Sequence, residues 1–287
     1  MATLHRPPIS ALRALVDTVW AHEQQPDSGA TSSPGAREHV LPTGATHIAL
    51  RIDGPPLHIF KHVADLHGER LGHAVEGGAR TVYHLRDVSQ PSVSVGAMLR
   101  PGAASVLLGV PESALAGRHT PLDQILHSGE VGALFERLRA CRDGAGRLAW
   151  FEHWLLARAQ GRPAALHPAL IQVLQSPGRP EQRVRDLVRA SGLSHRHCIA
   201  LFRQATGLAP REWLALQRFN QVLTLAARPS ETWSGIAAAT GYADQAHLAN
   251  SFRDITGLTP SAWRRQADLA TPRHVPYQAQ SPEQPHR

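Results

Sequence analysis

Phe202-Arg203-Gln204-Ala205-Thr206-Gly207-Leu208-Ala209-Pro210-Arg211-Glu212-Trp213 returns fifty residues later as Phe252-Arg253-Asp254-Ile255-Thr256-Gly257-Leu258-Thr259-Pro260-Ser261-Ala262-Trp263. Seven of the twelve positions are identical: Phe, Arg, Thr, Gly, Leu, Pro and Trp. Ungapped identity of this extent marks an internal repeat, one structural unit used twice.

Each copy follows a helix–glycine–helix pattern. Before the first, Val184, Leu187 and Val188 form an apolar face, Ser191-Gly192-Leu193 turns the chain, and Ser194 is a natural cap for the next helix. Before the second, Trp233, Ile236 and Ala237 form the face, Thr240-Gly241-Tyr242 makes the turn, and Asp244 is the cap. Glycine suits the left-handed conformation that ends the first helix of such a pair. Two short helices joined by a glycine-containing turn are the helix-turn-helix arrangement.

The second helix of each pair divides into two faces at ~100° per residue. In the first unit Cys198, Leu201 and Phe202 point inward, and Arg196, Ile199, Ala200 and Arg203 point outward. In the second, Leu248, Phe252 and Ile255 go inward; Ala246, Ala249, Asn250 and Arg253 go outward, with Gln245 at the N-terminal end. A helix that reads base edges in a major groove needs this division into an anchoring stripe and a contacting stripe. Residues 211–228 read as one longer helix, with Trp213, Leu214, Leu216, Phe219, Val222, Leu223 and Leu225 apolar. Such a helix holds the two units in fixed relation, so half-sites are expected about one DNA turn apart, ~34 Å.

Ser194-x-Arg196, Phe202, Gly207-x-x-Pro210, Arg218, Ile236-Ala237, Gly241-Tyr242-x-Asp244, His247-Leu248, Phe252-Arg253 and Gly257-x-Thr259-Pro260 strongly resemble the C-terminal domain of the AraC/XylS family of regulators. The resemblance covers roughly residues 180–266 and matches two motifs in the right order. It implies a sequence-specific regulator of transcription that binds double-stranded DNA. Ser194, His195, Arg196, Ile199, Ala200, Arg203, Asp244, Gln245, Ala246, Ala249, Asn250 and Arg253 are then the candidate DNA-binding residues. Arg203, Arg218 and Arg253 are candidates for phosphate contact or core support, and His247 for packing or capping. The implied partners besides DNA are RNA polymerase, an unknown small-molecule effector and a second copy of the chain. Cys198 departs from the leucine usual there, and Ala200 and Asn250 from the arginines frequent in the family.

Charge points the same way. The net charge is +7, and Lys61 is the only lysine. Residues 180–266 hold 11 arginines against 6 acidic residues, an excess of +5, so most of the net charge lies in under a third of the chain. Net charge speaks to partners rather than to fold, and an excess of this sign suits an anionic one.

The front half has a different texture. Residues 9–20 place Ile9, Leu12, Val16, Val19 and Trp20 at helical spacing behind Pro7-Pro8. Residues 24–37 are rich in Pro, Ser and Gly and read as a loop. Residues 40–98 contain short β-branched segments broken by Gly and Pro, the pattern of a compact β module. Residues 103–109, 121–126, 131–139 and 147–159 read as helices. Pro42-x-Gly44, Arg100-Pro101-Gly102-Ala103, Leu108-Gly109-Val110-Pro111 and Pro121-Leu122-Asp123 resemble the β-rich N-terminal domains of one subgroup of AraC-type regulators.

The expected architecture is therefore α+β. A β-rich sensory or dimerisation domain with appended helices spans residues 1–175. An all-α domain of about seven helices with two helix-turn-helix units spans 180–266, and 267–287 form a disordered tail. No membrane span, signal peptide, catalytic triad or phosphate-binding glycine loop stands out, so a cytoplasmic, non-enzymatic protein without a cofactor is expected. Cys141 and Cys198 are too few for a four-thiolate zinc site. The front half holds His39, His47, His58, His62, His67, His73 and His84 among its histidines. Of these, His58 and His62 have metal spacing only on a helix, and strand or loop is expected there. Arg100 is a candidate for an anionic effector, with a structural role as the default. Two rival classes remain: an enzyme whose β domain binds a metal or small molecule, and an interaction module that has lost DNA binding.

Overall fold

The computed structural model describes residues 2–23, 35–162, 166–175, 182–268 and 271–277. Two antiparallel sheets face each other in the front half. The first contains β1 (Ala2–Arg6), β2 (Val16–Glu23), β4 (His47–Asp53), β7 (Ala74–Gly77), β9 (Val93–Leu99) and β10 (His119–Pro121), in the order β1-β2-β9-β4-β7-β10. The second contains β3 (Arg37–Val40), β5 (His58–Phe60), β6 (Glu69–Arg70), β8 (His84–Asp87) and β11 (His274–Tyr277), in the order β11-β3-β8-β5-β6.

One face of the first sheet is apolar because Val19, Ala21, Ile48, Leu50, Val95, Ala97 and Leu99 alternate onto it. Helices α1 (Ala103–Leu107), α3 (Ser128–Ala140) and α4 (Gly144–Ala159) cover that face with Leu107, Leu134, Leu138, Leu148, Phe151 and Leu155. A short α2 (Glu112–Leu115) follows α1. Two of the carboxylates buried in this region titrate high. Glu76 is fully buried, and loss of water, partly opposed by Arg80, pushes its pKa up to about 8. Glu112 accepts the Ala104 N–H at 2.9 Å, and burial raises its pKa to about 7.

The other face of the sheet turns to the second sheet, where Val75 packs with Ile59 and Leu71 and a cluster of histidines lies nearby. His47 and His119 project towards His84 of the second sheet, with ring centroids 6.0 Å (His47–His119) and 4.7 Å (His84–His119) apart. Arg80 lies 3.2 Å from His84 Nδ1 through Nη1 and 3.0 Å from His119 Nδ1 through Nη2. Loss of water and then neighbouring positive charge hold His47 down to about 3 and His119 to about 2; His84 is also pushed well below its usual value. His84 and His119 are thus neutral acceptors for the half-buried Arg80 guanidinium.

The expected helix over 9–20 is replaced by a 3-10 turn at Ser10–Leu12 and by β2. A bulge explains the misleading period. Val16 pairs with Leu99 and Thr18 with Met98, leaving Asp17 as the extra residue. Val16 and Val19 therefore share a face at a spacing of three, which mimics a helix. The helix expected over 121–126 is instead the end of β10 and a 3-10 turn, Leu122–Gln124. Pro121 is tolerated there because β10 is an edge strand.

The helical half holds α5 (Pro168–Gln175), α6 (Val184–Ser191), α7 (His195–Thr206), α8 (Pro210–Ala226), α9 (Trp233–Ala239), α10 (Gln245–Thr256) and α11 (Pro260–Gln266). That is the expected number of helices with a different start. Leu170 and Val173 of α5 share a core with Leu187 and Phe202, so α5 belongs with the helix-turn-helix units and not with the β-rich domain placed at 1–175. The core also takes in Leu41, Ala79 and Val275, so the two halves are joined by packing.

The tail reading also needs correction. His274–Tyr277 is strand β11, paired antiparallel with β3 from His274↔Val40 to Tyr277↔Arg37. Val275 is fully buried, and Trp263 donates its indole N–H to Pro272 O at 3.0 Å. Residues 278–287, and most of the loop expected at 24–37, lie outside the described residues.

Candidate nucleic-acid interface

In the first unit the Arg183 N–H donates to Asp186 Oδ2 at 2.9 Å, closing the start of α6. The helix ends at Gly192, whose φ of +66° is the left-handed conformation expected of it. Ser194 Oγ accepts the His197 N–H at 3.4 Å and starts α7. In the second unit Thr232 Oγ1 accepts from Gly235 N–H at 3.1 Å at the start of α9. Asp244 Oδ1 accepts from His247 N–H at 2.7 Å and starts α10. Each cap satisfies amides that helix geometry leaves without partners.

The two second helices present the divided faces. In α7, Cys198 and Phe202 are buried and Leu201 half-buried; His195, Arg196, Ala200 and Arg203 are exposed, and Ile199 is half-buried. In α10, Leu248 and Phe252 are buried and Ile255 half-buried. Gln245, Ala246, Asn250 and Arg253 are exposed, and Ala249 is half-buried. Among the described residues, Arg196, Arg203 and Arg253 have no ion-pair partner, which leaves three guanidinium groups on the open stripes. Such cations suit phosphate oxygens or guanine edges.

Other sequence candidates occupy different positions. His247 is exposed, with its ring 5.2 Å from that of Tyr242 and its Nδ1 accepting the Ala243 N–H at 3.4 Å. Arg218 of α8 sits over the Tyr242 ring at 5.6 Å, tying the joining helix to the second unit. Arg100 pairs with Asp17 at 2.8 Å on the surface of the β-rich half. His58 lies in β5 and His62 beyond its end, so the pair is not on a helix. Among the described residues no group of three or more His, Cys, Asp or Glu is placed to hold a metal. No described helix is long and apolar enough to cross a membrane.

Sequence reasoning missed the ends of α7 and α10. Thr206 Oγ1 lies 2.8 Å from Phe202 O and accepts from Leu208 N–H at 3.2 Å. Thr256 does the same with Phe252 O at 2.7 Å and Leu258 N–H at 3.0 Å. Gly207 and Gly257 then take φ of +76° and +71°. The repeated Thr-Gly-Leu was the available signal. It encodes a stop, in which a hydroxyl replaces the next helical bond and glycine accepts the left-handed turn.

Comparison with known proteins separates the two halves. Residues 187–266 match the family described as "Helix-turn-helix domain". Residues 4–121 match "Domain of unknown function (DUF6597)". An uncharacterized HTH-type transcriptional regulator of Haemophilus influenzae is 28% identical over 104 residues, 36% of this chain and 35% of that protein. The HTH-type transcriptional regulator GlxA of Rhizobium meliloti is 29% identical over 181 residues, 59% of this chain and 54% of that protein. This chain thus spans about a third to a half of the length of these curated relatives. A solved transcriptional regulator with an AraC-type DNA-binding domain, from Chromobacterium violaceum, is 25% identical; the match covers 35% of this chain and 96% of that one at a TM-score of 0.32.

Proposed function

We propose that this chain, whose residues 187–266 form a helix-turn-helix domain of the AraC type, regulates transcription by placing α7 and α10 in successive major-groove segments of promoter DNA. The observation that carries the reading is the repeated pair of open stripes bearing Arg196, Arg203 and Arg253, each on a helix anchored by a buried phenylalanine. Arg196, Ile199, Ala200, Gln245, Ala246, Ala249 and Asn250 meet base edges; Arg203 and Arg253 meet phosphates. Ser194 and Asp244 hold the helix starts, and His195 stands at the rim.

The β-rich half serves as the control module, through a small-molecule effector, a second copy of the chain, or both. RNA polymerase is the partner through which bound protein changes transcription, in the cytoplasm. The protein acts by binding rather than by catalysis.

A mobility-shift titration of the full chain against promoter fragments tests this. Arginine–phosphate contacts release counterions, so affinity falls linearly on a log–log plot against salt. A handful of such contacts costs about 10³-fold or more between 50 and 200 mM salt. Binding that ignores salt would overturn the reading.

A further inference from the structure

Ala205 and Ile255 occupy the same place in the repeat, near the C-terminal end of each second helix. Carbonyls there have no partner within their own helix. Both find one in the β-rich half: Gly102 N–H donates to Ala205 O at 2.7 Å, and Tyr83 N–H donates to Ile255 O at 2.8 Å. The following glycines are covered from the same side. A side-chain carbon at Gly207 would come within 3.0 Å of Glu112 O, 3.2 Å of Ala116 Cβ and 3.4 Å of Ala79 Cβ. One at Gly257 would collide with the Tyr83 ring.

Residues 78–83 thus touch both second helices at equivalent points, through Ala79 at one end and Tyr83 at the other. The segment is held on both sides. Gly78 N–H donates to Arg118 O, and Gly117 N–H donates to Ala79 O, at 2.9 and 2.8 Å. Arg80 reaches inward to His84 and His119. His39, stacked on Tyr83 with centroids 5.0 Å apart, lies 3.1 Å from Thr256 O through Nδ1. None of this covers the outward stripes, where Arg196, Ala200, Asn250 and Arg253 remain exposed.

We propose that residues 78–83, with Gly102, act together with α8 as a positioning element that fixes the separation and relative rotation of the two DNA-reading helices. The β-rich half thereby takes part in specificity without touching DNA: it sets which half-site spacing is read. This rests on the DNA-binding reading above. One base pair more or less between half-sites moves the second by ~3.4 Å along the axis and about a tenth of a turn. Only a pair of helices held in fixed relation is sensitive to that.

The experiment selects a binding site with the full wild-type chain. Affinity is then measured for duplexes with one to three base pairs added or removed between the half-sites. Two variants are compared with wild type. Tyr83→Pro removes the N–H that reaches Ile255, at a position just before β8 where proline is tolerated. Ala116→Arg wedges a long side chain against Gly207. The wild type is expected to lose at least about tenfold for a one-base-pair change, comparable to a mismatched base. Each variant is expected to select the same half-site sequences while losing less than about threefold for the same change.

A uniform loss of affinity at all spacings, with the wild-type spacing penalty intact, overturns the proposal. So does hydrogen exchange of the wild-type Tyr83 or Gly102 amide at the rate of free peptide, a measurement that needs no variant. A wild-type chain that retains no duplex removes the DNA-binding reading itself, and this proposal with it.

Discussion

Phe219 and Phe252 meet edge to face with ring centroids 5.5 Å apart, so the joining helix and the second DNA-reading helix share one core. Trp233 and Trp263 each close on the same Phe252 ring at 6.0 Å. In the first unit Phe202 meets Trp213 in like manner at 5.6 Å. Phe252→Ala or Phe202→Ala is therefore expected to cost ~3–5 kcal/mol. That is a large part of a domain's total stability. Denaturant unfolding measures it, and unchanged midpoints in both variants would show that these rings do not anchor the helices.

Arg196→Ala and Asn250→Ala should change which DNA is preferred, not only how tightly DNA is held. Both side chains stand on the exposed stripes. Arginine can read guanine and asparagine adenine through two hydrogen bonds, and losing one such contact costs about 1–3 kcal/mol at its own base pair. Binding-site selection with wild type and each variant in one buffer distinguishes the outcomes. Selection of the wild-type motif with uniformly weaker binding would assign both residues to phosphate.

The helical half was legible because its signals are local and doubled. Ser194 and Asp244 cap within three residues of themselves, and Phe202 and Phe252 each follow a buried residue, Cys198 or Leu248, at helical spacing. The β-rich half was legible only in kind. The bulge at Asp17 disguised β2, and β11 has no signature apart from its partner β3, far away in sequence. The candidate interface was read as two faces of two helices. Its third side, where Tyr83 and Gly102 meet Ile255 and Ala205, depends on backbone amides in another part of the chain. No side-chain pattern records it.

Arg273 offers a test of how the two halves are joined. Its guanidinium donates to Pro42 O at 2.6 Å and to Asn220 Oδ1 at 2.8 Å, linking the β-rich half to α8. Burial lowers its pKa to about 10, so it stays charged near neutrality. Arg273→Ala and Asn220→Ala, alone and together, should show a coupling of ~1 kcal/mol or more, since bonds to charged groups contribute about 1.5–3 kcal/mol. Strict additivity would mean that the bond does not form in solution.

Stability should peak at mildly acidic to neutral pH, with limbs of opposite origin. His47, His84 and His119 titrate below their ordinary 6.5 in the folded chain, so the unfolded chain takes up protons first as pH falls. Stability is then full above 6.5 and is lost downwards towards 3. Glu76 and Glu112 titrate above their ordinary 4.5, at about 8 and about 7. Their contribution is full below 4.5 and is lost as pH rises through those values. Glu76→Gln should flatten the slope above pH 6.5 and leave the slope below pH 4.5 intact, while His119→Gln should do the reverse. Thermal midpoints across pH 4–9 decide it, and an E76Q slope equal to wild type would show that Glu76 is ionised in the fold.

The position of β11 bears on how the chain comes off the ribosome. His274 and Glu38 are bonded partners separated by 236 residues, and all of the helical half is synthesised between them. Until β11 emerges, β3 is an open edge with unpaired amides and carbonyls, a template for strands of other nascent chains. β3 is made before the helical half and β11 after it, which makes closure of this sheet edge a slow, long-range event. A stalled or truncated product that already carries both helix-turn-helix units would therefore leave that edge uncovered, and would be a candidate for aggregation or for capture by chaperones.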